Sequence, residues 1–177
     1  MRARVGCADE RPAHARATGP AELRYQAFYC EENVFHLCGH EVLAGRRRHA
    51  VVISGAHEGF VMWHQRAARR PGGALFWDYH VIVLAEEPWE IWDLDTTLGF
   101  PVPAGEYLAR SFRDGLPAEL APIFRVVPAQ VFVATLAVGS TAHARGPTGA
   151  TRGHCLLVGA DQRAGARIEP DAVRRHA

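Results

Sequence analysis

Lysine is absent from this chain. All 20 basic side chains among its 177 residues are arginine. A mechanism through a lysine Schiff base is therefore excluded, and so is a nucleotide-binding P-loop, whose lysine contacts the phosphates.

Net charge and long apolar runs are also lacking. The 20 arginines are nearly balanced by 19 acidic residues, so the formal net charge is +1. This charge gives no electrostatic reason to expect nucleic acid or an anionic membrane as a partner. The apolar runs are short and resemble strands, whereas a membrane span needs about 20 residues. Residues 1–20 have no apolar stretch of the kind found in secretory signals, so we expect a mobile leader there.

The chain has four cysteines without paired spacing: Cys7, Cys30, Cys38 and Cys155. A chain of this length can build a core without a disulfide framework, so we expect free thiols in a reducing cytoplasm. The length also predicts one domain, over residues 21–160, followed by a poorly ordered or divergent tail over 161–177. We expect a monomer without a cofactor.

Aromatic and β-branched residues are concentrated in one part of the chain. They fill residues 75–84 and, after a short link that contains Pro88, residues 90–96. This composition predicts two strands joined as a β-hairpin.

The predicted register of this hairpin brings polar side chains together. With the turn centred between residues 86 and 87, His80 would lie directly opposite Asp93, and directly paired residues share one face of a sheet. Asp78 and Asp95 would lie on that same face. The sequence therefore predicts an imidazole oriented by a carboxylate.

Residues 25–43 predict a helix that begins beside Cys30. Apolar residues recur at helical spacing after it, and Glu31 and Glu32 fit a first turn, where the helix dipole favours acids. A helix start favours a cysteine in its thiolate form, and its unpaired amides can stabilise an oxyanion.

Further elements complete the pattern. Short strands are predicted at 50–54, 60–63 and 124–127 and a helix at 104–112, whereas the apolar segment 129–138 is ambiguous. We therefore expect an α+β fold with a mainly antiparallel sheet flanked by helices.

Cys30, His80 and Asp93 form a candidate catalytic triad. The thiolate would act as nucleophile, the imidazole as general base and acid, and the carboxylate would orient the ring. Spacing alone leaves open the alternative that Cys30 and His80 are ordinary core or edge residues, because free cysteines are often simply buried.

A metal site is another use of such residues. His36 and His40 are spaced to share one helix face, with Cys38 between them. Cys38 would point elsewhere on that helix, and no second ligand cluster with zinc-finger spacing appears in the sequence. We interpret the histidines as an exposed pair and predict no metal site.

Three segments together resemble the protein N-terminal glutamine amidohydrolases: YCEENV at 29–34, WDYHV at 77–81 and DLDT at 93–96, with Phe100 and Pro101 just after. Their order and spacing also match, and the similarity runs over residues 25–127. The resemblance implies a cysteine hydrolase of the N-degron pathway, with a papain- or transglutaminase-like α+β core. Such an enzyme converts an N-terminal glutamine of a protein to glutamate and releases ammonia.

The resemblance also assigns residues. It implies Cys30 as nucleophile, His80 as the catalytic histidine and Asp93 as the triad acid, whereas Asp95 is not the triad member. Residues 138–143 stand where the family usually has a polar Ser-Asp-Arg-Ser-His-type segment, and the acidic and arginine residues expected there are missing.

The α-ammonium group of such a substrate needs anionic or carbonyl partners. Glu31, Asp78 and Asp95 are candidates, each of which could equally be a structural acid, and Trp77 flanks the site. Two other functions stay open. One is a peptidase or transglutaminase-like acyltransferase on the same scaffold, and the other is a catalytically silent module that recognises protein N-termini.

Overall fold

The computed structural model describes residues 23–142 and 166–167. The predicted leader over 1–20 lies outside the described residues, and so does the predicted tail over 161–177 apart from its short strand at 166–167. Within the described part, no helix is both long enough and apolar enough to cross a membrane.

An antiparallel sheet of six strands lies at the centre of the described part, in the order β6-β5-β4-β1-β7-β8. Its strands are β1 (Arg48–Ser54), β4 (Tyr79–Ala85), β5 (Glu90–Trp92), β6 (Val102–Pro103), β7 (Ile123–Pro128) and β8 (Ala166–Arg167). A separate two-stranded sheet pairs β2 (Phe60–Trp63) with β3 (Ala74–Trp77).

The helices of the described part are α1 (Cys30–Cys38), α2 (Ala104–Ser111) and α3 (Ala129–Ala142), with short 3-10 turns at Glu41–Leu43 and Ala118–Leu120. The expected α+β class, an antiparallel sheet flanked by helices, is confirmed. The ambiguous segment 129–138 belongs to α3.

The central sheet is buried on both faces. Val52 of β1 packs in one core with Leu37 of α1 and Phe132 of α3. Its neighbour Val51 faces the opposite side, where a second core contains Tyr107 of α2. A strand that is buried on both faces reads as a continuous apolar run, as β1 does. Helix α2 therefore lies on the opposite face of the sheet from α1 and α3.

The prediction of one strand over 75–84 is wrong, because the chain changes sheet at Asp78. β3 ends at Trp77 and pairs with β2, whereas Tyr79 begins β4 in the central sheet. Asp78 Oδ1 accepts a hydrogen bond of 2.9 Å from the amide of Tyr79. A local side-chain bond of this kind competes with strand pairing and interrupts it.

The predicted hairpin exists as β4 and β5, but its register is shifted by two residues. Val83 pairs with Trp92, so the turn is centred one residue later than predicted and includes Pro88, which cannot donate to a ladder. β5 ends at Trp92, so the predicted direct pairing of His80 with Asp93 is wrong. A shift of two residues leaves the side chains of β4 and β5 on their predicted faces. Asp78, which was predicted on the same face as His80, lies outside β4 and is exposed.

Helix α1 begins at Cys30, as the sequence predicts, but the helix predicted through residue 43 ends at Cys38. His40 adopts an extended backbone, and its Nδ1 accepts a hydrogen bond of 3.2 Å from the amide of Val42. This cap starts a separate 3-10 turn and stops the α-helix.

Candidate active site

Cys30 is the first residue of α1 and is only 4% exposed. Asn33 fixes the loop that leads to it, because Gln26 N donates to Asn33 Oδ1 and Asn33 Nδ2 donates to Gln26 O, each at 2.8 Å. Phe28 in this loop has a φ of 67°, a left-handed conformation that costs a non-glycine residue about 1–2 kcal/mol. The loop thus places the thiol at the helix N-terminus, where the dipole favours an anion.

His80 is the second residue of β4 and is fully buried. The indole of Trp77 stacks on its ring, with 4.8 Å between the ring centroids and 16° between the planes. An indole face attracts a cation, so this stacking favours the imidazolium. Because α1 packs against β4, the helix start and the histidine are brought together.

Asp93 lies in the loop directly after β5. Its Oδ1 is 3.0 Å from His80 Nε2 and also accepts the amide of Asp95 at 2.9 Å. Its Oδ2 accepts the Tyr107 hydroxyl at 2.7 Å and Gln65 Nε2 at 3.1 Å. The contact predicted between His80 and Asp93 is therefore present, although a loop makes it and not strand pairing.

The charges of this cluster favour an ion pair. Burial alone would lower the pKa of His80, but the charge and hydrogen bond of Asp93 raise it well above its ordinary value. Burial alone would raise the pKa of Asp93, but the charge of His80 and the bonds from His80, Tyr107 and Gln65 hold it below its ordinary value. At neutral pH the two groups are an imidazolium and a carboxylate.

The other ring nitrogen of His80, Nδ1, is the one left for the thiol. Nδ1 is buried and has no hydrogen-bond partner among the described residues. Cys30 nevertheless interacts with the ring closely enough to raise the pKa of His80 further. The thiol therefore lies near the imidazole ring, without a hydrogen bond to Nδ1.

Asp95 lies beside this pair and is 4% exposed. One ligand atom from each of His80, Asp93 and Asp95 lies within 4.8 Å of the other two. Asp95 Oδ1 accepts a 2.6 Å hydrogen bond from the Tyr25 hydroxyl. Burial raises the pKa of Asp95, while the Tyr25 bond and the charge of His80 oppose that rise. Burial and Asp95 together raise the pKa of Tyr25 to about 12, so its hydroxyl keeps the proton that it donates.

The other residues predicted to bind substrate differ in their surroundings. Glu31 Oε2 accepts the Tyr79 hydroxyl at 3.3 Å, and its Oε1 is buried without a partner in the described part. Asp78 is exposed and is bonded to the backbone amide of Tyr79. Trp77 is buried against His80, and its indole N–H has no partner among the described residues.

A metal ion would have to use this same cluster. Within the described residues, His80, Asp93 and Asp95 are the one group of three potential ligands that lie close together. Both oxygens of Asp93 already accept hydrogen bonds from the protein, so a metal would have to displace those donors. The donor set does not fit a resident metal, and His36 and His40 are not part of it.

Comparison with known proteins shows the family. Residues 25–148 match the family model described as N-terminal glutamine amidase. The chain belongs to this family.

Curated relatives named "Protein N-terminal glutamine amidohydrolase" are similar to this amidase-family chain. The relative from Arabidopsis thaliana is 35% identical over 130 residues, which cover 66% of this chain and 58% of the relative. The relative from Drosophila ananassae is 33% identical over 139 residues, which cover 73% of this chain and 67% of the relative. The one from Drosophila willistoni is 34% identical over 141 residues with the same shares. The matched part of the chain thus spans 58% of the plant relative's length.

The amidase match extends beyond residue 127, where the sequence resemblance ended, and includes the divergent segment 138–143. Residues 138–142 form the end of α3, and their side chains lie outside the described part.

Four residues that shape the candidate site were not predicted to do so: Tyr25, Asn33, Gln65 and Tyr107. The first two lie within five residues of Cys30 in the sequence, so the helix-start segment itself was the available signal. Gln65 follows a predicted strand without belonging to a recognisable motif, and Tyr107 fits the apolar face of a helix, so nothing in the sequence connected either of them with Asp93.

Proposed function

We propose that this amidase-family chain hydrolyses the side-chain amide of an N-terminal glutamine, giving glutamate and ammonia through a thioester on Cys30. The observation that carries the proposal is the buried His80–Asp93 ion pair beside a thiol at a helix start. A thiol, an imidazole and a carboxylate that bonds the imidazole are the groups that nucleophilic acyl transfer requires.

The first half-reaction forms the thioester. Cys30 Sγ attacks the Cδ carbon of the glutamine, and the carbonyl electrons move to oxygen. Backbone amides at the start of α1 stabilise that oxyanion. The His80 imidazolium gives its Nδ1 proton to the amide nitrogen, the C–N bond breaks and ammonia leaves.

The second half-reaction hydrolyses the thioester and regenerates the free enzyme. His80 is now neutral and takes a proton from water, and the resulting hydroxide attacks the thioester carbonyl. The C–S bond breaks, which restores the Cys30 thiolate and the His80 imidazolium and leaves a carboxylic acid on the substrate. Asp93 keeps the ring oriented through both steps and takes no proton.

Recognition of the α-ammonium falls to Asp95 and Glu31. Four bonds separate the attacked carbon from the α-nitrogen of glutamine, a span of about 5 Å. One oxygen of Asp95 lies within 4.8 Å of a ring nitrogen of His80, and Tyr25 donates to Asp95 Oδ1 and so limits its orientation. Glu31, directly after the nucleophile, offers a buried oxygen without a partner in the described part. Asp78 is exposed, so it is the least suited of the three predicted acids.

Peptides that differ only at the first residues test this proposal. A Gln-initiated peptide should release ammonia and gain the mass of one deamidation, while the same peptide with only internal Gln should not react. An acetylated Gln-peptide should react roughly a hundredfold more slowly, because it cannot satisfy the buried acids. An Asn-initiated peptide should also be poor, because its shorter side chain misplaces the carboxamide. Equal rates for free and acetylated peptides would overturn N-terminal specificity and leave a general amidohydrolase.

The same peptide reactions distinguish an amidase from a peptidase and from a silent recognition module. Cleavage of a peptide bond, detected as shorter products, would indicate a peptidase in place of an amidase. Binding of Gln-initiated peptides without ammonia release, together with a Cys30 that resists a mild thiol reagent, would indicate a silent recognition module.

The cellular setting is part of the proposal. We expect a monomer that acts in the cytoplasm on protein N-termini, without nucleic acid or membrane partners. Light scattering of the purified chain tests the first expectation, and fractionation of cells that produce it tests the second.

A further inference from the structure

Tyr107 is a buried polar residue to which the catalytic steps assign no role. It lies on α2, on the opposite face of the sheet from α1, and its side chain is fully buried. Its hydroxyl donates to Asp93 Oδ2 at 2.7 Å. Burial and the charge of Asp93 raise the pKa of Tyr107 well above its ordinary value, so the hydroxyl stays protonated and remains a donor.

The hydrogen bonds of Asp93 show why that donor matters. A carboxylate has about four acceptor sites, and Asp93 receives four hydrogen bonds, two on each oxygen. The Oδ1 pair comes from His80 and the amide of Asp95, while the Oδ2 pair comes from Tyr107 and Gln65. A carboxylate whose acceptor sites are all occupied by hydrogen bonds is held in one orientation. A buried carboxylate remains charged only when its oxygens accept hydrogen bonds.

We propose that Tyr107 is a positioning residue, which fixes the Asp93 carboxylate and thereby the orientation of the His80 ring beside Cys30. This inference rests on the proposed role of Asp93 in the deamidation. It extends the site to α2, so that both hydrophobic cores hold catalytic groups in place.

A purely structural role for Tyr107 makes different predictions. Buried tyrosines usually need a partner for the hydroxyl, and Asp93 would then serve only as that partner. In that case Tyr107→Phe, which keeps the ring, would change the melting temperature without changing the chemical step.

The test compares Tyr107→Phe with wild type and with Phe112→Leu. Phe112 packs edge-on against the Tyr107 ring at a centroid distance of 6.3 Å and has no polar atom, so it is the matched control for packing. Tyr107→Phe should lower kcat for a Gln-initiated peptide by about 10- to 100-fold and leave KM within about twofold, because it acts on the reacting groups and not on substrate binding. Phe112→Leu should lower the melting temperature and leave both kinetic constants within about twofold.

A double-mutant comparison decides whether the effect passes through Asp93. In an Asp93→Ala background, Tyr107→Phe should have no further effect, whereas independent roles would multiply the losses. The same comparison is made on the rate at which iodoacetamide alkylates Cys30, which needs no substrate. That rate should fall in Tyr107→Phe and should not fall further in the double variant.

These outcomes separate the two proposals. If wild type fails to release ammonia but Tyr107→Phe still slows alkylation through Asp93, the proposed function fails and the positioning role stands. If wild type is active and Tyr107→Phe matches it in kcat, or multiplies the loss of Asp93→Ala, the positioning role is overturned.

Discussion

Two cysteines of the same helix have different surroundings. Both belong to the same hydrophobic core, but Cys30 begins α1 near His80, whereas Cys38 ends α1, where its carbonyl accepts a hydrogen bond from Arg48. Burial raises the pKa of Cys38 to about 11, with the charge of Arg48 opposing that rise. At neutral pH the Cys38 thiol is therefore protonated and is a poor nucleophile, because the thiolate is the reactive form.

Cys30→Ala and Cys30→Ser should abolish ammonia release, by at least about 10³-fold, while the fold stays intact. The matched control is Cys38→Ala, which removes the other described thiol of the helix and should retain activity. Mass spectrometry after brief treatment with iodoacetamide should find the label on Cys30 and not on Cys38. Turnover by Cys30→Ala comparable with wild type would show that Cys30 is not the nucleophile.

His80 and Asp93 should act as a unit. His80→Ala should be nearly inactive, and adding Asp93→Asn should cost little more, because the acid works through the ring. Asp93→Asn alone should reduce kcat/KM by about 10⁴-fold, more than Asp95→Asn does, because Asp93 bonds Nε2 of His80, whereas Asp95 is proposed to bind the substrate. Steady-state kinetics of the four variants measure this. Losses that multiply in the double variant would contradict the coupling.

At the residue scale, side-chain chemistry could be predicted and supporting contacts could not. Cys30, His80 and Asp93 were predicted because few residue types can act as nucleophile, base or orienting acid. Gln65 and Tyr107 carry no catalytic chemistry of their own, and each donates a hydrogen bond to Asp93, across 28 and 14 positions of the chain. Only tertiary packing brings such partners together.

At the scale of elements, the loop before α1 determines where Cys30, the proposed nucleophile, lies. Asn33 is 4% exposed and pairs with both backbone groups of Gln26. The start of α1 was predictable because acids and apolar spacing mark it. The register of the β4–β5 hairpin was not predictable, because the composition of the link over residues 85–89 does not locate the centre of the turn to one residue.

Asn33→Ala should lower both activity and stability. It removes both hydrogen bonds to the backbone of Gln26, and such a bond contributes about 0.5–1.5 kcal/mol where water can replace the lost partner. The strained loop through Phe28 would then relax, and Cys30 would move relative to His80.

Circular dichroism melts and peptide kinetics measure the two effects of Asn33→Ala. Glu32→Ala is the matched control, since Glu32 is an exposed neighbour on the same helical turn. A lower melting temperature with a wild-type kcat would contradict this prediction. It would show that Asn33 stabilises the loop but is not needed to position Cys30 relative to His80.

At the scale of the whole molecule, the buried charges give stability a pH dependence. His80 has a raised pKa, so its contribution is fully present below its unfolded value and is lost as pH rises through the folded value. Asp93 has a lowered pKa, so its contribution is present above its unfolded value and is lost as pH falls through the folded value. The pair therefore stabilises the fold most between the unfolded pKa of Asp93 and the unfolded pKa of His80, in mildly acidic solution. Part of the contribution of His80 remains at neutral pH, because its folded pKa lies well above 6.5.

Asp95 has the opposite effect, and Asp95→Asn should therefore stabilise the protein while it impairs catalysis. Its raised pKa means that the folded state holds the proton more tightly than the unfolded state, so ionised Asp95 costs stability at pH values above its folded pKa. Asparagine removes that cost and still offers an oxygen to the Tyr25 hydroxyl. The melting temperature should rise by a few degrees at neutral pH, where about 1 kcal/mol corresponds to roughly 2–4 °C in a chain of this size. The difference should vanish in acid, where Asp95 is protonated in both states.

The matched control for Asp95→Asn is Asp78→Asn, the same change at an exposed carboxylate, which should leave the melting temperature nearly unchanged at either pH. The kinetic counterpart is a lower kcat/KM for free Gln-peptides with little change for acetylated ones, because only the former carry the ammonium that Asp95 is proposed to bind. Gain of stability without loss of activity would mean that Asp95 is a strained structural acid and that Glu31 alone recognises the substrate. Loss of stability at neutral pH would mean that the Tyr25 bond outweighs the burial of the charge, and that this aspartate is retained for the fold.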